Sequence, residues 1–109
     1  MAIKKVIKSV QTYLNFLAKQ GIPVSFGVLY GSYAKNKANE WSDIDLLVVS
    51  SEYDNKRTID DYELLWMYAA RMDSRIEPIP VGERQYREDD TNAIIEIARR
   101  EGQIIPLAE

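Results

Sequence analysis

The stretch from Gly31 to Asp45 constrains the fold more than any other part of the chain. An apolar run, Val24 to Tyr30, ends in a Gly-Ser pair, and Asp43 and Asp45, one residue apart, open a second apolar run. Ten residues separate Ser32 from Asp43. The order reads as strand, Gly-Ser turn, short helix, loop, and a strand that begins with two acids. Glycine lets a backbone approach a ligand with no side chain in the way. A serine at a helix start adds a hydroxyl beside unpaired backbone N–H groups, a combination suited to phosphate oxygens. On an extended chain Asp43 and Asp45 point to one face, with Cα atoms roughly 7 Å apart. Two carboxylates beside a phosphate cradle make a place for a divalent metal. Taken singly, Gly-Ser is a plain turn and Asp-x-Asp an exposed strand start.

Composition narrows the chemistry further. The chain has no histidine and no cysteine, which removes His-dependent triads, imidazole and thiolate metal sites, and disulfides. Acid–base and metal chemistry then falls to carboxylates, Lys or Tyr. Fourteen basic residues against seventeen acidic give a net charge of −3, so strong nucleic-acid binding is not expected. A length of 109 residues fits one domain, 1–109. No apolar run reaches the length of a bilayer span, and with no signal core at the start the expected location is cytoplasmic.

The remaining elements follow from periodicity. Ile3, Val6, Ile7, Val10, Tyr13, Leu14 and Leu17 recur at helical spacing, which predicts an amphipathic first helix closed by Gly21 and Pro23. Val24 to Tyr30 reads as the first strand and Ile44 to Ser50 as a central one, apolar on both faces. Tyr33 to Lys37 reads as a short helix, and Ser51 to Arg57 as a polar loop. Thr58 and Asp61 form a capping box for a helix whose stripe Tyr62, Leu65, Trp66, Ala69 and Met72 is expected in the core. Arg75 to Val81 holds Pro78 and Pro80, two apart, and suits a sheet edge. Gly82 to Asp90 reads as a mobile charged loop. A last helix is expected from Thr91 to Gly102, burying Ile94, Ile95, Ile97 and Ala98. The tail Ile104-Ile105-Pro106-Leu107 either closes the core or meets a partner.

The spacing Gly31-Ser32-x10-Asp43-x-Asp45 resembles the signature of the nucleotidyltransferase superfamily that includes DNA polymerase β. Its closest likeness is to the minimal nucleotidyltransferases of prokaryotes, over nearly the whole chain. Four specified residues at this spacing arise by chance in roughly one chain in a thousand of this length. The resemblance implies an α/β (α+β) nucleotidyltransferase fold, a small mixed sheet of about three strands flanked by about four helices. It implies catalytic and metal-binding roles for Asp43 and Asp45. It also implies a third acid, usually aspartate, from the strand beside them. Glu77 matches that place by order and is one methylene longer; the alternative is an ordinary exposed edge glutamate. Gly31, Ser32 and Lys35 would bind the nucleotide. Asn36 stands where the family commonly has glycine, a mild departure since asparagine tolerates the left-handed conformation. Lys37 reads better as a solvated lysine, and Tyr30, Tyr33 and Trp41 as core or rim aromatics rather than base platforms.

By the same resemblance the substrate is a nucleoside triphosphate, ATP foremost, with two Mg²⁺ ions when the nucleotide is bound. Minimal members are often paired with a HEPN-domain toxin, which they neutralise, in some cases by adding AMP to a tyrosine. That pairing is the expectation for this chain, and a homo-oligomer is compatible with it. The other reading is a module of the same fold that neutralises its partner by contact. Transfer to a small hydroxylated compound lacks a visible acceptor pocket, and transfer to RNA suits the acidic balance poorly.

Overall fold

The computed structural model describes residues 2–34 and 42–107. Its centre is a four-stranded sheet in the order β3-β2-β1-β4. Strand β1 (Val24–Tyr30) lies antiparallel to both β2 (Ile44–Ser50) and β4 (Gln103–Pro106), while β3 (Ile76–Val81) runs parallel to β2. The sheet is therefore mixed. β2 sits inside it, and every residue from Leu46 to Ser50 is buried. The polar end of that run is accommodated by two bonds: Ser50 Oγ donates to the Pro23 carbonyl at 2.9 Å and accepts from the Glu52 amide at 3.2 Å. β3 is an edge strand, as its two prolines require, since each lacks a ladder N–H.

Helices cover both faces. On one, α1 (Ala2–Lys19) and α3 (Ile59–Met72) enclose Val10, Leu14, Leu17, Ile44, Leu46, Val48, Leu65 and Ile76. The helical repeat of α1 delivers Val6, Val10, Tyr13, Leu14 and Leu17 to this core. It packs tightly there because β1 carries a glycine: a Cβ at Gly27 would stand 2.9 Å from Leu14 Cδ1. On the other face, α4 (Glu83–Glu88) and α5 (Ala93–Glu101) cover Val28, Leu47, Val49 and Val81 with Tyr86, Ile95 and Ala98. A single turn, α2 (Glu52–Asn55), follows β2. Among the described residues no helix is long and apolar enough to cross a membrane.

Four expectations need correction. The segment 82–90 holds a helix, α4, because the Asp54 carboxylate accepts the Arg84 and Gln85 amides at 3.0 and 3.1 Å and so caps it from a distant turn. Residues 51–57 likewise include α2 rather than only loop. In α3 only Leu65 and Ala69 are buried; Tyr62, Trp66 and Met72 are exposed, Trp66 by 46%. The helix lies over the edge strand. One flank meets α1, where Phe16 and Tyr68 stack edge to face with centroids 5.1 Å apart, and the opposite flank runs past the sheet. In α5, Ile95 and Ala98 are buried but Ile94 and Ile97 are exposed, because one helix on a flat sheet buries a single line of contacts. Its N-cap is Asn92, whose Oδ1 accepts the amides of Ile94 and Ile95 at 3.0 and 3.2 Å. The apolar tail forms β4 and contributes the buried Ile105 to the core, leaving Ile104 exposed.

Candidate active site

The site is built where β1 ends and β2 and β3 begin. Antiparallel pairing sets Tyr30 opposite Asp45, and parallel pairing sets Asp45 opposite Glu77. Directly paired residues project to the same face of a sheet, so Tyr30, Asp45 and Glu77 form a transverse row on the α4/α5 side. The next row inward is Val28, Leu47 and Ile79. The acids thus stand at the end of an apolar face.

Asp43 lies just before β2 and is exposed, while Asp45 and Glu77 are partly buried. Glu77 stands close to Asp43. Hydrogen bonding toward Asp43 first, then burial and the charges of Asp43 and Asp45, raise the Glu77 carboxyl above its ordinary value. Burial first and the charge of Asp43 second raise Asp45 as well. Tyr30 is pushed up to about 12 by burial and by the charges of Asp45 and Glu77, so its phenol stays protonated across neutral pH.

Gly31 closes the site from the β1 side. Its φ is +76°, in the left-handed region, and a Cβ there would collide with the Asp45 carboxylate and stand 3.1 Å from its Cγ. The Gly-Ser turn therefore presses its bare backbone against the second aspartate, and Ser32 beside it is exposed. Tyr33 turns inward and is buried. The short helix expected over 33–37 falls partly outside the described residues: Tyr33 and Ala34 lie in a turn, and Lys35, Asn36, Lys37 and Trp41 lie outside.

Beside the acids is a polar network that no sequence pattern singles out. The Asp73 carboxylate accepts from Ser9 Oγ at 2.7 Å and from Arg75 N, Nε and Nη2 at 3.0, 3.0 and 2.8 Å. Hydrogen bonding to Arg75 chiefly, and to Ser9, lowers Asp73 to about 2. An Asp-x-Arg turn before a strand was the only signal available, and it is a common one.

A divalent cation fits this donor set. The charges of neighbouring acids help raise both Asp45 and Glu77, a repulsion that a cation would relieve, and the bare Gly31 backbone lies directly against the Asp45 carboxylate. Among the described residues no three acids form a ready-made metal cage. Mg²⁺ is usually held by one or two carboxylates together with substrate phosphates and water, which this arrangement can provide. A surface hollow of about 390 Å³, lined by Tyr53, Asp54, Arg57 and Arg84 among others, sits at the opposite end of β2 and β3.

Comparison with known proteins agrees with the geometry. The fold superimposes on the 1.40 Å crystal structure of a Sulfolobus solfataricus protein inferred to be a nucleotidyltransferase, with a TM-score of 0.69 and 14% identity. The match covers 94% of this chain and 80% of the other; at that identity it establishes the fold. No curated protein matches in sequence. The family model for the nucleotidyltransferase domain matches residues 4–104, from the first helix to the last strand, and the chain belongs to that family.

Proposed function

We propose that the chain is a Mg²⁺-dependent nucleotidyltransferase that moves a nucleoside monophosphate, AMP from ATP, onto a hydroxyl acceptor. The observation that carries this reading is the register of β2 and β3, which pairs Asp45, two residues from Asp43, with Glu77. The Gly31 backbone and the Ser32 hydroxyl, with Lys35, hold the outer phosphates. Asp43 and Asp45 would hold the metal ions, and Glu77 would either complete that set or serve as base. The bound ions supply charge neutralisation for the phosphates and a lowered pKa for the acceptor hydroxyl. The acceptor oxygen bonds to the α-phosphorus, the bond to the bridging oxygen breaks, and pyrophosphate leaves. The hydroxyl proton passes to Glu77 where that carboxylate acts as the base rather than as a ligand.

The acceptor in this proposal is a tyrosine of a HEPN-domain partner, and the role is that of a cytoplasmic antitoxin. Resemblance to the minimal nucleotidyltransferases supports it. Incubating the purified chain with ATP, Mg²⁺ and the HEPN protein encoded beside it tests the reading. A mass increase of one or more AMP units on the partner is expected, and no increase would overturn it.

A second reading, neutralisation by contact alone, is favoured by the exposed row Ile59, Tyr62 and Trp66 on α3. The Asp43→Asn, Asp45→Asn double variant separates the two. Loss of neutralisation supports transfer; retention supports contact.

A further inference from the structure

We propose that Arg75 is a positioning residue for this site, fixing the Gly31-Ser32 turn and the entry to Asp43 relative to the strand that carries Glu77. The proposal rests on the transferase reading. Three short segments carry the site: 31–33, 42–45 and 75–77. Arg75 reaches the other two. Its carbonyl accepts the Ile44 amide at 2.7 Å, next to Asp43. Its guanidinium spends Nε and Nη2 on Asp73 at 3.0 and 2.8 Å, and Asp73 is itself tied to α1 through Ser9 at 2.7 Å. That two-point grip fixes the guanidinium plane. The remaining Nη1 then points at Tyr33 Oη, 3.5 Å away, and Tyr33 Oη donates to the Ser42 carbonyl at 3.4 Å.

Tyr33 is 3% exposed, so its ring is held by the core and its hydroxyl has little freedom. It lies two residues from Gly31, and Ser42 precedes Asp43. The arm is longer than the anchor, 3.4–3.5 Å against 2.7–3.0 Å. Bonds that orient a catalytic group are often long before substrate binds and tighten in the complex.

Two substitutions test the tie. Arg75→Lys keeps a positive charge on Asp73 but cannot grip it in a plane and reach Tyr33 at once. Tyr33→Phe removes only the hydroxyl. Calorimetric titration with Mg²⁺ and ATP should show about tenfold weaker binding in each variant. The double variant should also lose about tenfold, not a hundredfold, because both changes cut one connection. Melting temperatures should stay within a few degrees of the parent for Tyr33→Phe. Amide exchange should quicken at 31–33 and 42–44 in both variants. Unchanged affinity in either single variant, multiplied losses in the double, or unaltered exchange would each overturn the proposal. If the parent chain binds no Mg²⁺ and ATP, the transferase reading falls, and exchange alone decides: unaltered rates in Tyr33→Phe defeat the tie, faster rates keep it.

Discussion

At Gly31 two demands meet in one residue. A φ of +76° excludes most side chains on backbone grounds, and the Asp45 carboxylate occupies the space where a Cβ would go. Gly31→Ala should cost about 1–2 kcal/mol for the left-handed backbone alone and displace Asp45 as well. The expected result is a melting temperature lower by roughly 5–10 °C, with nucleotide binding reduced by about tenfold or more. Gly21→Ala is the control: its φ is +93° but nothing lies within 4 Å of the added carbon, so it should destabilise without weakening binding. The acids behave in the opposite sense. Asp45 and Glu77 are raised in the folded state, so protonation stabilises the fold, and that contribution is lost as pH rises through their folded values. Asp45→Asn should therefore raise the melting temperature at pH 7, and the gain should shrink as pH falls through the carboxylate range. The same variant should bind no Mg²⁺ with ATP. A lower melting temperature at pH 7 would mean that the carboxylate is a structural ligand rather than a strained functional one.

Among the elements, β3 joins the site to the rest of the fold through the turn that precedes it. Asp73 is lowered to about 2 from 3.8, by Arg75 first and Ser9 next. A depressed carboxylate contributes stability that is present above the unfolded value and lost as pH falls toward the folded one. Asp73→Asn should thus be clearly less stable than the parent at pH 7, with the gap closing between about pH 4 and pH 2, as thermal melts at pH 7, 4 and 3 would read. Elements of this kind differ in how far sequence exposes them. α1 was legible from seven apolar positions at one spacing, β2 from an apolar run on both faces, and β3 from Pro78 and Pro80, because each pattern spans its whole element. α4 was not. Its six residues, Glu-Arg-Gln-Tyr-Arg-Glu, carry one buried side chain, Tyr86, and its cap comes from Asp54 about thirty positions earlier. The pairing of Asp45 with Glu77 is a middle case. The sequence places both acids on strands, but which acid faces which depends on register, and register is set by the packing of Leu47 and Ile79 behind them.

Over the whole molecule the sheet is covered unevenly, and that decides which apolar residues are core. α1 and α3 share one face, so Leu65 and Ala69 are enclosed, but beyond the β3 edge nothing among the described residues covers Ile59, Tyr62 and Trp66. Periodicity alone counts Trp66 and Leu65 alike, because it records which residues share a helix face and not where the sheet beneath that helix ends. Their energetics should differ sharply. Leu65→Ala empties a fully buried position and should cost about 2–5 kcal/mol. Trp66→Ser, at 46% exposure, should cost at most about 1 kcal/mol. The same substitution also tests how the chain meets its acceptor protein. If neutralisation is by contact, Trp66→Ser should weaken it severalfold while Mg²⁺ and ATP binding stays unchanged. If transfer alone matters and the acceptor approaches the acids from the α4/α5 side, Trp66→Ser should leave both neutralisation and AMP incorporation at the parent level, with only Asp43→Asn and Asp45→Asn removing them. Melting curves, nucleotide titration and partner neutralisation, measured on the same preparations, separate these outcomes.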